Sequence, residues 1–452
     1  MEKLRITALA LCLSVALCVV SPCVLAEDEG APKLNSAQSA LIGDLSSGRI
    51  LYNVDAYSRR YPASLTKIMT LLLAVEAVEQ GTASLEDMVT AGSDSQSGLT
   101  ECSSSSGICI GETMSMKDLL YCAALASANE ACNIIAGHVA GSISAFVEKM
   151  NARAAGLGCS GTHFVNTHGM HDSEHYTTAH DMFLIAREGM RHALFAQLVG
   201  TREYTTSATN VSSPRTLRNS NALINSDSPY SDKYFYTGAV GIKTGYTSYA
   251  GYCLASAVQR ESVSVITVVL GADGGSGSYD NFADTVTLLD WCFENYSYHS
   301  IVEKGFAAAS QPLSVKGKSG SVTLVCAQGI SALAANDLDV SALEKTVTLK
   351  AETLDAVPAE GTELGTVSFS DPTDGTELGT VALVASNDVQ LDEPEPQPAA
   401  PQELSHEQKL TIVIICAITV LLLLVFLPDV FSEDPDKKKK AGAEDGERRE
   451  GA

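Results

Sequence analysis

The sequence predicts an α+β domain, then a small all-β domain, then one apolar helix long enough to cross a bilayer. Three observations predict it. Up to about Tyr298, strand-like segments lie at both ends and helix-like segments between them, so one sheet is assembled from both ends of a domain. Beyond Tyr298 the texture turns to short Val- and Thr-rich runs between Gly, Asp and Pro turns. Finally, Leu410 to Leu427 carries no charge, enough to span hydrocarbon with little tilt.

The elements follow in order. Lys3 and Arg5, the apolar run behind them and the small Ala26 read as a secretory signal peptide over residues 1–26, with a retained N-terminal anchor as the alternative. "AQSALIGDLSSGRILYN", Ala37 to Asn53, reads as two strands around a Ser-Ser-Gly turn. Pro62 opens a helix to about Gln80, and Gly81 stops it. "SMKDLLYCAALA" is a second helix with Ser115 and Asp118 as capping box; "SANEACNIIAGHVA" is a third after a break. "YTTAHDMFLIAREGM" is a fourth, capped by Thr178 and Asp181. "AGYCLASAVQ" and "SVSVITVVLGA" are paired strands, and "YDNFADTVTLLDWCFENY" closes the domain, placed at 35–298.

In the β domain, placed at 305–390, "GTELGTV" occurs at Gly361 and again at Gly375: two similar strand-forming units, too few for a solenoid. "DEPEPQPAAPQE" makes 391–408 an exposed Pro/Glu-rich linker. The charge-free span at 410–427 follows. "DKKKK" in the charged tail, 428–452, keeps that end in the cytoplasm, so the body of the protein lies on the extracytoplasmic side of the cell membrane, held by a single-pass C-terminal anchor.

Composition narrows the function. Of 452 residues, 45% are hydrophobic and 19% charged, a globular balance large enough for two domains. The net charge of -24 excludes the basic footprint of a nucleic-acid binder. Of twelve cysteines, three lie in the signal segment and one, Cys416, in the span; the other eight form no C-x-x-C pair, so a zinc ribbon or thioredoxin-like site is unsupported. Cys102 and Cys109 bracket "SSSSGI" and could close a small loop or stay apart, since spacing does not fix geometry.

Three short motifs carry chemistry. In "YPASLTKIMT", Ser64 and Lys67 are three apart at a helix start and share a face. A serine hydroxyl needs a neighbouring base to become a nucleophile, and a lysine shielded from water has a lowered pKa and can be that base. The competing reading is an N-cap and a solvated charge. In "LASANEAC", Ser127 could relay a proton and Asn129 could hold an amide oxygen, or Ser127 and Glu130 could merely cap the next helix. In "GIKTGYTSYAGYCLASA", Lys243 and Thr244 offer a charge and a hydroxyl to a carboxylate, and Gly245 permits close approach at what reads as a strand start.

Together, in this order and spacing, the motifs resemble the penicillin-recognising serine enzymes, in which S-x-x-K, S-x-N and K-T-G recur. "ALIGDLSSGRILY", "FVNTHGMHDSEHYTTAHDM" and "VGIKTGYTSYAGYCLASA" resemble segments of the D-alanyl-D-alanine carboxypeptidases, the low-molecular-mass penicillin-binding proteins of serine peptidase type, over roughly Asn35 to Tyr298. The resemblance implies a β-lactamase/transpeptidase-like domain: an antiparallel sheet with flanking helices and a helical subdomain. It implies that Ser64 attacks the carbonyl between the last two D-alanines of a peptidoglycan stem peptide, Lys67 is general base, and Ser127 relays a proton. The backbone N–H groups of Ser64 and Tyr246 would form the oxyanion hole, Asn129 would hold the substrate amide, Lys243 and Thr244 would bind the terminal carboxylate, and Gly245 would let the substrate approach the backbone. β-Lactams would acylate Ser64 as inhibitors, and no metal or cofactor is called for. One departure is "RNSNALI": some members carry an Arg directly before the Asn, where this chain has Ser220, with Arg218 two residues earlier.

Three rivals remain in view. A serine β-lactamase would share the acylation residues but needs a deacylating Glu, and no "E-x-x-L-N" follows the second motif. A zinc peptidase could use His171 and His175, four apart, though no H-E-x-x-H is present. A catalytically silent wall-binding or scaffolding protein would not need the complete set of polar residues.

Overall fold

The computed structural model describes residues 30–225, 231–275, 278–392 and 405–426. The signal segment, most of the Pro/Glu linker and the charged tail lie outside the described residues. The chain divides into two compact units, Met1–Ala309 with Leu324–Lys350 and Glu360–Ala385, and Ser310–Thr323 with Ala351–Ala359 and Ser386–Ala452.

The core of the larger unit is a five-stranded antiparallel sheet of β1 (Ser39–Asp44), β2 (Ile50–Val54), β3 (Ala239–Thr247), β4 (Gly251–Arg260) and β5 (Val263–Ala272), in the order β2-β1-β5-β4-β3. Both ends of the α+β region thus supply it. Every residue of β1 is buried, because the sheet is covered on both faces. Period-2 alternation divides them: Leu41 packs into the helical cluster, whereas Ala40 and Ile42 pack with Leu288 and Leu289 of the closing helix. β3 is an edge strand, and its position defines one wall of the site.

Four helices pack on this sheet, α1 (Thr66–Glu79), α5 (Ala179–Met190), α6 (Ala193–Gly200) and α7 (Asp280–Asn295), and three more, α2 (Met116–Ala124), α3 (Asn129–Ala140) and α4 (Ile143–Gly156), pack on α1 and on one another. α1 is buried nearly all round, which is what its unbroken apolar run requires. The expected caps are present: Ser115 Oγ accepts from Asp118 N at 3.1 Å, and Thr178 Oγ1 from Asp181 N at 3.0 Å. Two expectations shift. Pro62 opens a 3-10 turn, Ala63–Leu65, and the α-helix starts only at Thr66. The K-T-G stretch lies inside β3, which already begins at Ala239.

From Tyr296 to Leu391 the described elements are strands, β6 (Tyr296–Val302), β7 (Ala307–Val315), β8 (Lys318–Cys326), β9 (Ile330–Ala335), β10 (Glu344–Leu349), β11 (Glu363–Ser370) and β12 (Glu377–Leu391), with one 3-10 turn at Val340–Ala342. The repeated "GTELGTV" has a structural meaning. Gly361 and Gly375 both take left-handed φ, 83° and 74°, and each leads into a strand; β11 and β12 then pair antiparallel with Val367 opposite Val381. In the smaller unit, Gln311 Nε2 donates to Ala351 O at 2.8 Å and Ser314 N to Leu354 O at 2.7 Å. The helix α8 (His406–Phe426) holds the expected apolar run; none of His406–Leu423 is buried, and its mean hydropathy is 1.7.

Candidate active site

The site begins at the 3-10 turn. Ser64 sits between α1 and β3, on a turn whose first residue, Ala63, takes a left-handed φ of 48°. A non-glycine residue there costs about 1–3 kcal/mol and persists only when its surroundings hold it. They do. Thr66 Oγ1 donates to Ala63 O at 2.8 Å. His175 closes the chain behind it: its Nδ1 accepts from Val165 N at 3.1 Å, so the proton must sit on Nε2, which donates to Thr66 Oγ1 at 2.7 Å. Burial keeps that imidazole neutral, its pKa pushed down to about 3. Gly169 supports the turn from the other side; a Cβ at this glycine would overlap the Ala63 carbonyl oxygen.

Lys67, in the first turn of α1, is fully buried. Its Nζ lies 2.8 Å from Ser64 Oγ and donates to His168 O at 2.7 Å. Burial is the main reason its pKa falls to about 8, against the pull of Cys132 and Glu130. A neutral amine that donates one hydrogen to the His168 carbonyl has its lone pair free for the serine O–H. The preceding residue is fixed from α1 and α3: Thr70 Oγ1 donates to Thr167 O at 2.6 Å, and Thr167 Oγ1 to Asn133 Oδ1 at 2.7 Å.

The second motif lies on the turn before α3. Ser127 takes a left-handed φ of 58°, and the N-cap of α3 is Ala128, without a side-chain bond. The capping reading of Ser127 therefore falls. Instead Ser127 Oγ and Asn129 Oδ1 are buried with no hydrogen-bond partner, atoms that cost about 1–3 kcal/mol each unless something arrives to satisfy them. The cysteine-bearing loop borders this turn. Asn129 N donates to Ser104 O at 2.9 Å, and Glu130 Oε1 accepts from Ser105 Oγ at 2.8 Å and Ser106 N at 2.7 Å. Cys102 and Cys109 are both free and exposed.

β3 supplies the third wall. Lys243 is 1% exposed; burial first, and then the Lys67 charge, lower its pKa to about 7. A Cβ at Gly245 would stand 3.0 Å from Ser64 N, so any side chain there would press on the nucleophile's turn. Tyr246, the next residue, is exposed, its ring 4.4 Å from that of Tyr252. Ser220 Oγ is 2.7 Å from Thr244 Oγ1, whereas Arg218 Nε donates to Glu203 at 3.0 Å on the surface. Of the two candidates beside the K-T-G stretch, Ser220 is the one at the site. The zinc reading loses its pair: His175 is spent on Thr66, and His171 stacks on Tyr249 with centroids 3.8 Å apart.

A serine held against a buried amine, with unsatisfied polar groups beside an open sheet edge, defines the class: a serine hydrolase working by acyl transfer. The chain belongs to the D-alanyl-D-alanine carboxypeptidase family, peptidase S11, which matches residues 26–274. Residues 296–391 match the penicillin-binding protein 5 C-terminal domain. Among curated relatives it is similar to D-alanyl-D-alanine carboxypeptidase DacF of Bacillus subtilis, 31% identical across 81% of this chain and 90% of that protein, and to DacA of Escherichia coli strain K12, 30% identical across 63% of this chain and 67% of that protein. Among solved structures it resembles penicillin-binding protein 5 from Haemophilus influenzae, TM-score 0.65 and 27% identity, covering 79% of this chain and 99% of that one. The fold is that of penicillin-binding protein 5, an S11 catalytic domain followed by an all-β domain. The protein is a serine-type D-Ala-D-Ala carboxypeptidase of the cell wall.

Proposed function

We propose that Ser64 is the residue acylated, and that the observation carrying this is the 2.8 Å contact between its hydroxyl and the fully buried Lys67 amine. Neutral Lys67 takes the Ser64 proton as Oγ attacks the carbonyl between the last two D-alanines of a stem peptide. The developing oxyanion lies against the N–H groups of Ser64 and Tyr246. The proton passes through Ser127 to the leaving nitrogen, D-alanine departs, and water attacks the acyl-enzyme to release the shortened peptide. Asn129 takes up the substrate amide: its side-chain N–H donates to an amide oxygen, and its buried Oδ1 accepts from a substrate N–H. The terminal carboxylate is received by Lys243 and Thr244, with Gly245 letting it approach. Its arrival raises the proton affinity of Lys243 and leaves Lys67 the neutral partner of the two.

β-Lactams acylate the same serine and leave slowly. The enzyme works on the outer face of the cell membrane, exported by its N-terminal segment and held by α8, whose exposed apolar surface suits lipid. Fluorescent penicillin followed by peptide mapping tests the reading. A stable adduct on the peptide containing Ser64 with slow nitrocefin turnover is expected; a labelled peptide elsewhere, or an undiminished adduct in Ser64→Ala, overturns it.

A further inference from the structure

We propose that the cleft beside the nucleophile's turn is a subsite for a zwitterionic side chain, one ending in an ammonium and a carboxylate on the same carbon, on the residue preceding the penultimate D-alanine of the substrate. This rests on the reading that Lys243 and Thr244 receive the terminal carboxylate.

The cleft has a volume of about 360 Å³ and is lined by Arg59, Tyr61, Glu174, Tyr176 and Tyr249 among others. Arg60 lines it too, and of these three charged residues Arg59 and Glu174 are held and unspent. The Arg59 guanidinium lies 4.2 Å over the Tyr176 ring, and among the described residues it has no ion-pair partner. The neighbouring Arg60, by contrast, bonds Asp55 at 2.6 Å. Glu174 is fixed through its backbone, its N donating to Asp172 Oδ1 at 2.8 Å and its O accepting from His163 Nδ1 at 2.6 Å. Its carboxylate, too, has no cation among the described residues. The opposite charges thus face one cleft without closing on each other. A single ammonium would satisfy Glu174 and leave Arg59 bare. A group carrying both signs satisfies both, and Arg can take its carboxylate by two parallel N–H bonds.

The cleft adjoins the site by a continuous aromatic wall. The edge of His171 meets Tyr61 at 4.6 Å, and its face stacks on Tyr249. Tyr61 is three residues before Ser64, and Tyr249 is three residues after Tyr246. Direction follows from β3. With the carboxylate at Lys243 and Thr244 and the nucleophile against Gly245, an extended substrate along this edge strand must leave toward Thr247 and Tyr249. Each residue advances about 3.3 Å, so the residue before the penultimate alanine arrives at the rim of the cleft.

The test uses full-length protein in detergent and three peptides ending in D-Ala-D-Ala, with diaminopimelate, lysine or Nε-acetyl-lysine before the alanines. The expected kcat/KM for the diaminopimelyl peptide exceeds that for the lysyl peptide by about tenfold, mostly through KM, as one added ion pair in a partly shielded cleft gives. Arg59→Gln should bring that ratio close to one. Glu174→Gln should bring the lysyl and acetyl-lysyl peptides together. Equal kcat/KM for all three in the native protein, or a preference that survives the double variant, overturns the inference. Penicillin labelling of Ser64 separates the two readings. If labelling persists and the three peptides are equal, the subsite alone falls; if labelling is absent, the catalytic reading falls and takes the subsite with it.

Discussion

The two sides of the active-site cleft are built on opposite terms. On the Ser64 side every polar group is spoken for: Lys67 reaches Ser64 and His168, Thr66 reaches Ala63, and His175 reaches Thr66. On the Ser127 side the hydroxyl of Ser127 and the amide oxygen of Asn129 are buried and unsatisfied. The first side is organised before substrate arrives, so little reorganisation is left for the chemical step. The second side keeps polar groups that substrate can satisfy, which directs binding energy toward orientation. The same fold thus keeps one half of the site rigid and leaves the other incomplete.

The largest effect should come from breaking the rigid half. Lys67→Met should slow penicillin acylation by on the order of 10³-fold or more, because the hydroxyl loses its base. It should not lower Tm at pH 6, because there the amine is protonated and a desolvated ammonium destabilises the fold. The linkage has a clear sign: the folded amine, at about 8, binds its proton less tightly than the unfolded one, near 10.5. Stability from this group therefore rises with pH between about 8 and 10.5 and is lowest below that window. Stopped-flow labelling and calorimetry read the two parts.

The incomplete half should respond in reverse. Asn129→Ala should cut kcat/KM on a D-Ala-D-Ala peptide by about 10²-fold, while leaving Tm unchanged or raised, since it removes a buried group with no partner. A fall in Tm matching a loss of several kcal/mol would show that Asn129 is satisfied after all. The acid limb of kcat/KM against pH sharpens the contrast further. Activity should rise as pH climbs through the range from about 7 to about 8, where the two buried lysines lose a shared proton. In Lys67→Met the residual activity should lack that limb.

Smaller still is the support behind the turn. His175→Leu should cost about 1–2 kcal/mol in urea unfolding, through the unpaired Thr66 hydroxyl and Val165 N–H, and slow acylation only about tenfold, since Lys67 stays in place. Smallest is Ser220→Ala, expected to raise KM by about threefold with kcat unchanged, because Thr244 keeps its hydroxyl and loses only the neighbour orienting it. An effect confined to kcat would place Ser220 in the chemistry.

What was legible in the sequence were features that depend on side-chain type at fixed spacing. Ser64 with Lys67, the caps at Ser115 and Thr178, and the edge-forming strands all announce themselves that way. What stayed hidden were roles played by backbone. The carbonyl of His168 holds Lys67, yet any residue presents a carbonyl. Ser127 has the spacing of a cap, and only its left-handed φ reveals that the hydroxyl is turned elsewhere. Ser220 and Thr244 are 24 residues apart, so their contact has no local signature.

Gly169 carries one more consequence. Because its α-carbon is pressed against the carbonyl of Ala63, no methyl group can be added there without displacing the nucleophile's turn. Mutant libraries aimed at drug escape should therefore find this codon intolerant: a variant that lost its antibiotic sensitivity here would lose its livelihood with it.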